Sequence, residues 1–449
     1  MIVALLAAMA LGETAARLPR TLAGDFYQLW SVSAARRASP VPLGVPYTHV
    51  REYTDVLNRQ ADASTEPRLK AANRAWRTLS PVASPLLFVT FSLFPSDYSA
   101  AVITYYTLQT LLFLGSLALL GWLFRYHAFI LLCLTFILLR AHEPLLSDMR
   151  LGNVGVCQLF VLSAMLVLAG QLDRPQWAKR RIALGTAFLS GLVYVTLFKP
   201  SVALVTGLLA VWFWASQPLT MVVRCALGTA GALLLFLAIP SVYFGTPAVW
   251  LDWYRHELLP GRWVTGRSVQ QGNYSSVAIL ADWLGTSAGA VLAGIAVVLL
   301  VSLAAVGVRS GRGAGALAHW LGALAQDANR LASIAVIATI AMSPLAWLHY
   351  YVLLLIPALW LLRNGTTIEP GGVLSALALL MNSGALNLFL YLANLDPVVP
   401  AVIAFAWVPL WAAMLWDRPA AAARVDAVVP TPGKKVPVAR SAQSGSRAR

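Results

Sequence analysis

The sequence predicts an all-α, polytopic integral membrane protein, and three observations carry that expectation. Apolar residues fill 59% of the chain and charged residues only 11%, against about 45–50% and about 25% in water-soluble domains, so the excess needs a lipid solvent. Apolar runs near the length that crosses the hydrocarbon core recur along the chain. Sixteen Trp and fourteen Tyr supply amphipathic rings of the kind that collect at the two membrane interfaces.

The elements follow in chain order. The first run, MIVALLAAMALG (1–12), is short for a crossing and lacks the basic start and cleavage pattern of a signal peptide. The expectation is that this span begins upstream of the given start. Long runs occupy 98–122, 153–171, 182–198, 222–244, 288–308, 373–393 and 398–416. Shorter runs, broken by Pro or polar residues, occupy 127–141, 201–217, 331–345 and 348–362. Together these make about twelve transmembrane helices.

Positive charge in short loops marks the cytoplasmic side. With the N-terminus inside, twelve spans put Arg125, the run Arg174 to Arg181, Arg309 with Arg312, Arg363 and the basic tail on that side. Residues 1–417 then form the membrane domain. The tail, 418–449, is rich in Pro, Ala, Ser and basic residues, is expected to be disordered and meets anionic lipid. Two long loops, about 13–97 and 245–287, share the external face. The first carries ten Lys/Arg and so offers a surface to an anion. Its end, PVASPLLFVTFSLFP (81–95), is too short for an easy crossing and reads as a re-entrant or interfacial helix. Cys133, Cys157 and Cys225 lie within or at the edge of apolar spans without disulfide or zinc spacing and read as packing residues. No Walker loop, zinc helix or dinucleotide fingerprint occurs, which argues against soluble nucleotide chemistry. Neither a cofactor nor a nucleic-acid partner is expected.

Ionisable residues at membrane depth or at span ends are costly and point to function. Four groups qualify. Asp25 sits in Gly24-Asp25-Phe26-Tyr27-Gln28-Leu29-Trp30, where aromatic neighbours would tune a carboxylate toward a general base. The same residue type also caps short helices. Arg150 sits in Asp148-Met149-Arg150-Leu151-Gly152-Asn153, where an Arg beside a helix N-terminus suits a phosphate; alternatively Asp148 caps the helix and Arg150 snorkels. Lys199-Pro200 ends a span, and that lysine either pairs with phosphate or snorkels. His349 follows a Ser343-Pro344 break and Trp347 among aromatics, either as a proton donor or as a satisfied interfacial His. The second loop adds Trp250, Trp253, Tyr254, Gln270, Gln271, Asn273 and Tyr274, the ring and amide types that hold sugars.

The order of these groups is informative. An Asp in the first external loop, then Ser84-Pro85 before an apolar segment, R-x-G-N at Arg150 to Asn153, Lys199-Pro200, Gly272-Asn273-Tyr274-Ser275 and SP-x-x-W-x-H at Ser343 to His349 resemble glycosyltransferase family 87. These are membrane enzymes of the GT-C class, typified by polyprenol-phosphate-mannose dependent α-1,2-mannosyltransferases. The likeness runs from Gly24 to about Pro357. It implies a GT-C architecture in the inner (plasma) membrane with an extracytoplasmic active face. It also implies a polyprenyl-phosphate sugar donor, a glycolipid or glycan acceptor, and hexosyl transfer with inversion. By the same resemblance, Asp25 is the base, while Arg150, Lys199 and His349 stabilise the departing phosphate. Tyr27, Asn153, Gln271, Asn273 and Trp347 are sugar or acceptor contacts, with Glu143 or Asp148 orienting Arg150. No metal is expected, since the phosphate is met by Arg, Lys and His. The chain departs from the family at Asn153, where Gln is frequent, and at Tyr350, where a second His is frequent.

Two other readings stand beside this one. A transporter or flippase of a lipid-linked anion would line its path with the same Arg and Lys, although no internal repeat is apparent. An O-antigen polymerase or ligase would carry its main loop late, with paired arginines.

Overall fold

The computed structural model describes residues 2–17, 21–172, 174–259, 273–309, 327–364 and 370–416. Those residues are helical and turn structure, with no strand among them beyond two isolated bridges. All lie within one unit, Met1–Asp417.

Helix α1 (Ile2–Arg17) is followed by four helices within the first predicted loop: α2 (Gly24–Ala38), α3 (Val50–Ala63), α4 (Pro67–Ala75) and α5 (Pro85–Phe91). Next come α6 (Tyr98–Leu123), α7 (Ala128–Ala141), α8 (Glu143–Leu151), α9 (Gly155–Leu172) and α10 (Arg181–Phe198). They are succeeded by α11 (Ala203–Ser216), α12 (Leu219–Phe244), α13 (Val249–Trp253), α14 (Ser276–Leu284), α15 (Ala288–Arg309) and α16 (Ala328–Ala341). A 3₁₀ segment, Leu348–Leu354, leads into α17 (Leu355–Asn364), and the described chain closes with α18 (Pro370–Met381), α19 (Gly384–Leu392), α20 (Val399–Ala404) and α21 (Trp407–Trp416).

Among the described residues, six helical stretches are long and apolar enough to cross a membrane: Tyr98–Leu123, Gly155–Leu172, Pro175–Phe198, Leu219–Phe244, Ala288–Ala305 and Asp396–Trp416. Six shorter apolar helices occupy the remaining predicted positions, among them Ala128–Ala141, Pro200–Ser216 and Ala328–Ala341. The outward side chains agree with a lipid solvent. On α12, Leu227, Leu234 and Val242 are 71%, 68% and 81% exposed, a degree of apolar exposure that water would penalise and acyl chains would not.

One expectation needs correction. The run 373–393 is not one continuous helix, because α18 stops at Met381 and Ser383 starts α19 by accepting from the Leu386 N–H at 3.1 Å. A serine N-cap of this kind starts a new helix without lowering the hydropathy of the run. The segment 13–97 is a folded helical layer. Its α5, read as re-entrant or interfacial, is largely buried in protein: Ser84 caps it and donates to the Phe198 carbonyl at 2.9 Å.

That layer is held by aromatic packing. Phe26 of α2 lies 4.9 Å from the Tyr105 ring of α6 and 5.5 Å from the Phe91 ring of α5, and Trp30 lies 5.1 Å from the Tyr98 ring. Such pairs add about 0.5–1.5 kcal/mol each beyond their burial. At the other end of α2, Arg36 donates to the carbonyls of Leu43 at 2.8 Å and Tyr243 at 2.9 Å, fastening the layer to the end of α12. The two predicted external loops adjoin, since Tyr47, Leu79 and Pro81 share a cleft of about 280 Å³ with His256 and Glu257.

Candidate active site

Asp25 occupies the first turn of α2, after Ala23 in the left-handed conformation. An acid there is favoured by the positive end of the helix dipole. Because Phe26, Tyr27 and Trp30 are fixed in the aromatic cluster, the half-buried Asp25 is presented on a rigid element. Its Oδ2 accepts from the Asn153 side-chain amide at 2.6 Å.

Asn153 belongs to the turn between α8 and α9. The turn is tight because Gly152 has φ +68° and caps α8. Any Cβ at Gly152 would stand 2.6 Å from the Phe26 Cβ, so glycine permits α2 and this turn to touch. Asp148, fully buried, accepts from the N–H groups of Gly155 at 2.9 Å and Val156 at 3.0 Å, and so caps α9. Of the two readings open for Asp148, the cap is the one observed. Burial pushes its carboxyl up to about 7, with the two N–H bonds and the Lys199 charge opposing that rise.

Lys199 terminates α10 and donates its ammonium to the Asn153 Oδ1 at 2.8 Å. The same ammonium lies 4.6 Å from the centre of the Tyr350 ring, close enough for a cation–π contact. Burial pushes Lys199 down to about 8, against the pull of the Asp148 and Asp25 carboxylates. His349 is buried, packs edge to face on Tyr350 with centroids 4.8 Å apart, and has no hydrogen-bond partner for either ring nitrogen among the described residues.

Asp25, Asn153 and Lys199 are therefore joined in one hydrogen-bonded chain, with Tyr350 and His349 beside it. Arg150 is held differently. Its guanidinium donates to Glu143 at 2.8 Å and to the Leu146 carbonyl at 3.2 Å, and the side chain is half exposed. Glu143 thus orients Arg150, while Asp148 serves the α9 cap. Tyr27 is buried and donates to Asn73 at 2.7 Å; burial pushes its phenol up to about 12. The Asn273 side chain accepts from Ser275 N at 3.1 Å and Ala346 N at 3.0 Å and donates to the Pro344 carbonyl at 3.2 Å, which pins the turn that carries the half-buried Trp347. Gln271 lies outside the described residues.

Sequence reasoning missed the groups that fix the turn from below. The Asn153 carbonyl accepts from the Tyr105 hydroxyl at 2.5 Å and from the Gln109 amide at 2.6 Å. Gln109 is a polar residue inside an apolar run, and that alone was a usable signal. Gly155 was also missed: a Cβ there would lie 2.6 Å from the Asp148 Oδ1 and 3.1 Å from the His349 carbonyl, so α8, α9 and the 3₁₀ segment close on a hydrogen atom.

Chemically, the cluster offers a carboxylate able to take a proton and a cation able to meet an anion, linked by one amide. No protein-family model, no curated protein and no solved structure matches the chain.

Proposed function

We propose that this protein is a membrane hexosyltransferase, with mannose as the expected sugar. It would draw on a polyprenyl-phosphate donor and a glycolipid or glycan acceptor at the extracytoplasmic face of the plasma membrane, with twelve spans and a GT-C architecture. The observation that carries the reading is the Asp25–Asn153–Lys199 chain, with hydrogen bonds of 2.6 and 2.8 Å, formed by residues that stand in three separate motifs of the resemblance. Its membrane setting agrees with a donor whose tail requires lipid.

In the reaction, Asp25 accepts the proton of an acceptor hydroxyl. The oxygen attacks the anomeric carbon as the bond from that carbon to the phosphate oxygen breaks, inverting the centre. The electron pair leaves with polyprenyl phosphate. Lys199 opposes the charge that grows on that phosphate, an interaction strongest in the transition state. His349 is the further candidate to meet the leaving group, and Arg150 would reach the phosphate by exchanging Glu143 for it. Trp347, Gln271 and the remaining amide hydrogen of Asn153 are assigned to sugar and acceptor.

The test uses the purified protein in lipid with radiolabelled polyprenyl-phosphate-mannose and a panel of glycolipid acceptors. Label appearing on an acceptor is the expected result. Movement of donor across the bilayer with no transfer would replace this reading with a flippase.

A further inference from the structure

Three observations concern Asn153 alone. Its side-chain oxygen accepts twice, from Lys199 at 2.8 Å and from the Val154 N–H at 2.7 Å, while its side-chain nitrogen donates to Asp25 at 2.6 Å. The amide cannot be turned over, because the flipped form would aim N–H groups at an ammonium and at a backbone N–H. Its backbone is equally fixed: the N–H donates to the Asp148 carbonyl at 3.0 Å and the carbonyl accepts from Tyr105 and Gln109. An amide held by this many partners is preorganised, and it makes one charge-assisted bond to an acid and another to a cation.

We infer that Asn153 is a positioning residue shared by the base and the cation, holding Asp25 ionised and Lys199 charged at one fixed separation. Its kinetic consequences rest on the transfer reading given above; its effect on Asp25 does not. A hydrogen bond donated to a carboxylate favours the charged form, and one accepted from an ammonium favours the charged amine. One side chain therefore serves both partners, and a residue that can only donate or only accept cannot replace it. The titratable groups facing the pair from the surrounding elements are Asp148 on α8, Tyr105 on α6, Cys157 on α9 and His349 on the 3₁₀ segment. Arg150 and Glu143 on α8 neutralise each other at 2.8 Å.

Two measurements test this. The first needs no turnover: modification of Asp25 by a hydrophobic carbodiimide, which reacts with protonated carboxyls, is followed against pH by peptide mass spectrometry in wild type and N153A. Loss of the donor is expected to move the midpoint for Asp25 upward by about one pH unit. An unchanged midpoint overturns the inference, whatever the fate of the transfer reading. The second compares N153D with wild type in the transfer assay. Asp at 153 still accepts from Lys199 but meets Asp25 as a second carboxylate, so kcat is expected to fall about 100-fold with donor KM within a few-fold. Activity should partly return at acidic pH, where a shared proton restores the bond. A loss confined to donor KM would leave Asn153 with its sugar contact alone and overturn the positioning role. N153A, which can neither donate nor accept, replaces N153D if the latter does not fold, with the same kcat and KM split expected. A shifted carbodiimide midpoint together with no transfer by wild type would retain the inference and remove the transferase.

Discussion

The Lys199 ammonium lies 4.6 Å from the centre of the Tyr350 ring, so an aromatic face supports the cation that the Asn153 oxygen also holds. For a half-buried Lys this contact contributes about 1 kcal/mol. Tyr350→Phe keeps the ring and is expected to bind donor as wild type does. Tyr350→Ala should raise donor KM about five-fold, which steady-state transfer kinetics would read. Equal KM values in the two variants would remove Tyr350 from the site.

Lys199 also sets an alkaline limit. Burial brings it down to about 8, so the ammonium is complete below that pH and is lost as pH rises through it. Donor affinity is expected to weaken above about pH 8 in wild type. Lys199→Arg carries a permanent charge, and a profile measured from pH 6 to 10 should lose that limb while overall affinity drops through poorer fit.

Asp148 gives a stability prediction of the opposite flavour. Its folded value, pushed up to about 7 by burial, lies above the ordinary carboxylate value of about 4. The folded state therefore holds a proton that the unfolded state has released, and this contribution is full below about pH 4 and disappears as pH rises through 7. Thermal unfolding of the lipid-reconstituted protein should show Tm declining across that window. Asp148→Asn should flatten that dependence, and an identical slope in the variant would contradict the burial-raised titration of Asp148.

Gly152 couples backbone geometry to the placement of Asp25. Gly152→Ala puts a Cβ into a left-handed residue with φ +68°, 2.6 Å from the Phe26 Cβ. The strain costs about 1–3 kcal/mol, and relief requires α2 to move away from the turn. Transfer activity is expected to fall further than Tm predicts, because Asp25 adjoins Phe26 and moves with it.

The membrane-borne part of the fold was legible because crossing hydrocarbon demands long apolar runs, and the α6, α9, α12 and α15 helices announce themselves that way. The break at Asn382-Ser383 was not, since one serine cap inside an apolar stretch leaves hydropathy almost unchanged. At the site, Asp25, Asn153 and Lys199 were each visible as costly residues near span ends. Their mutual contacts depend on Gly152 and Gly155 letting three elements meet, and on Tyr105 and Gln109 rising from α6, a closure no local pattern encodes. Arg150 was visible as a cation, whereas its pairing with Glu143 seven residues earlier follows from α8 being a helix in a segment read as a loop.

The transferase reading and its base assignment meet in one variant, Asp25→Asn, assayed in lipid with a polyprenyl-phosphate sugar and acceptor alongside a direct donor-binding measurement. Asn is close in shape and can still accept from Asn153, yet it cannot take a proton. Transfer is predicted to fall by about 10²- to 10⁴-fold with donor affinity held within a few-fold. Wild-type transfer rates in the variant would contradict the account.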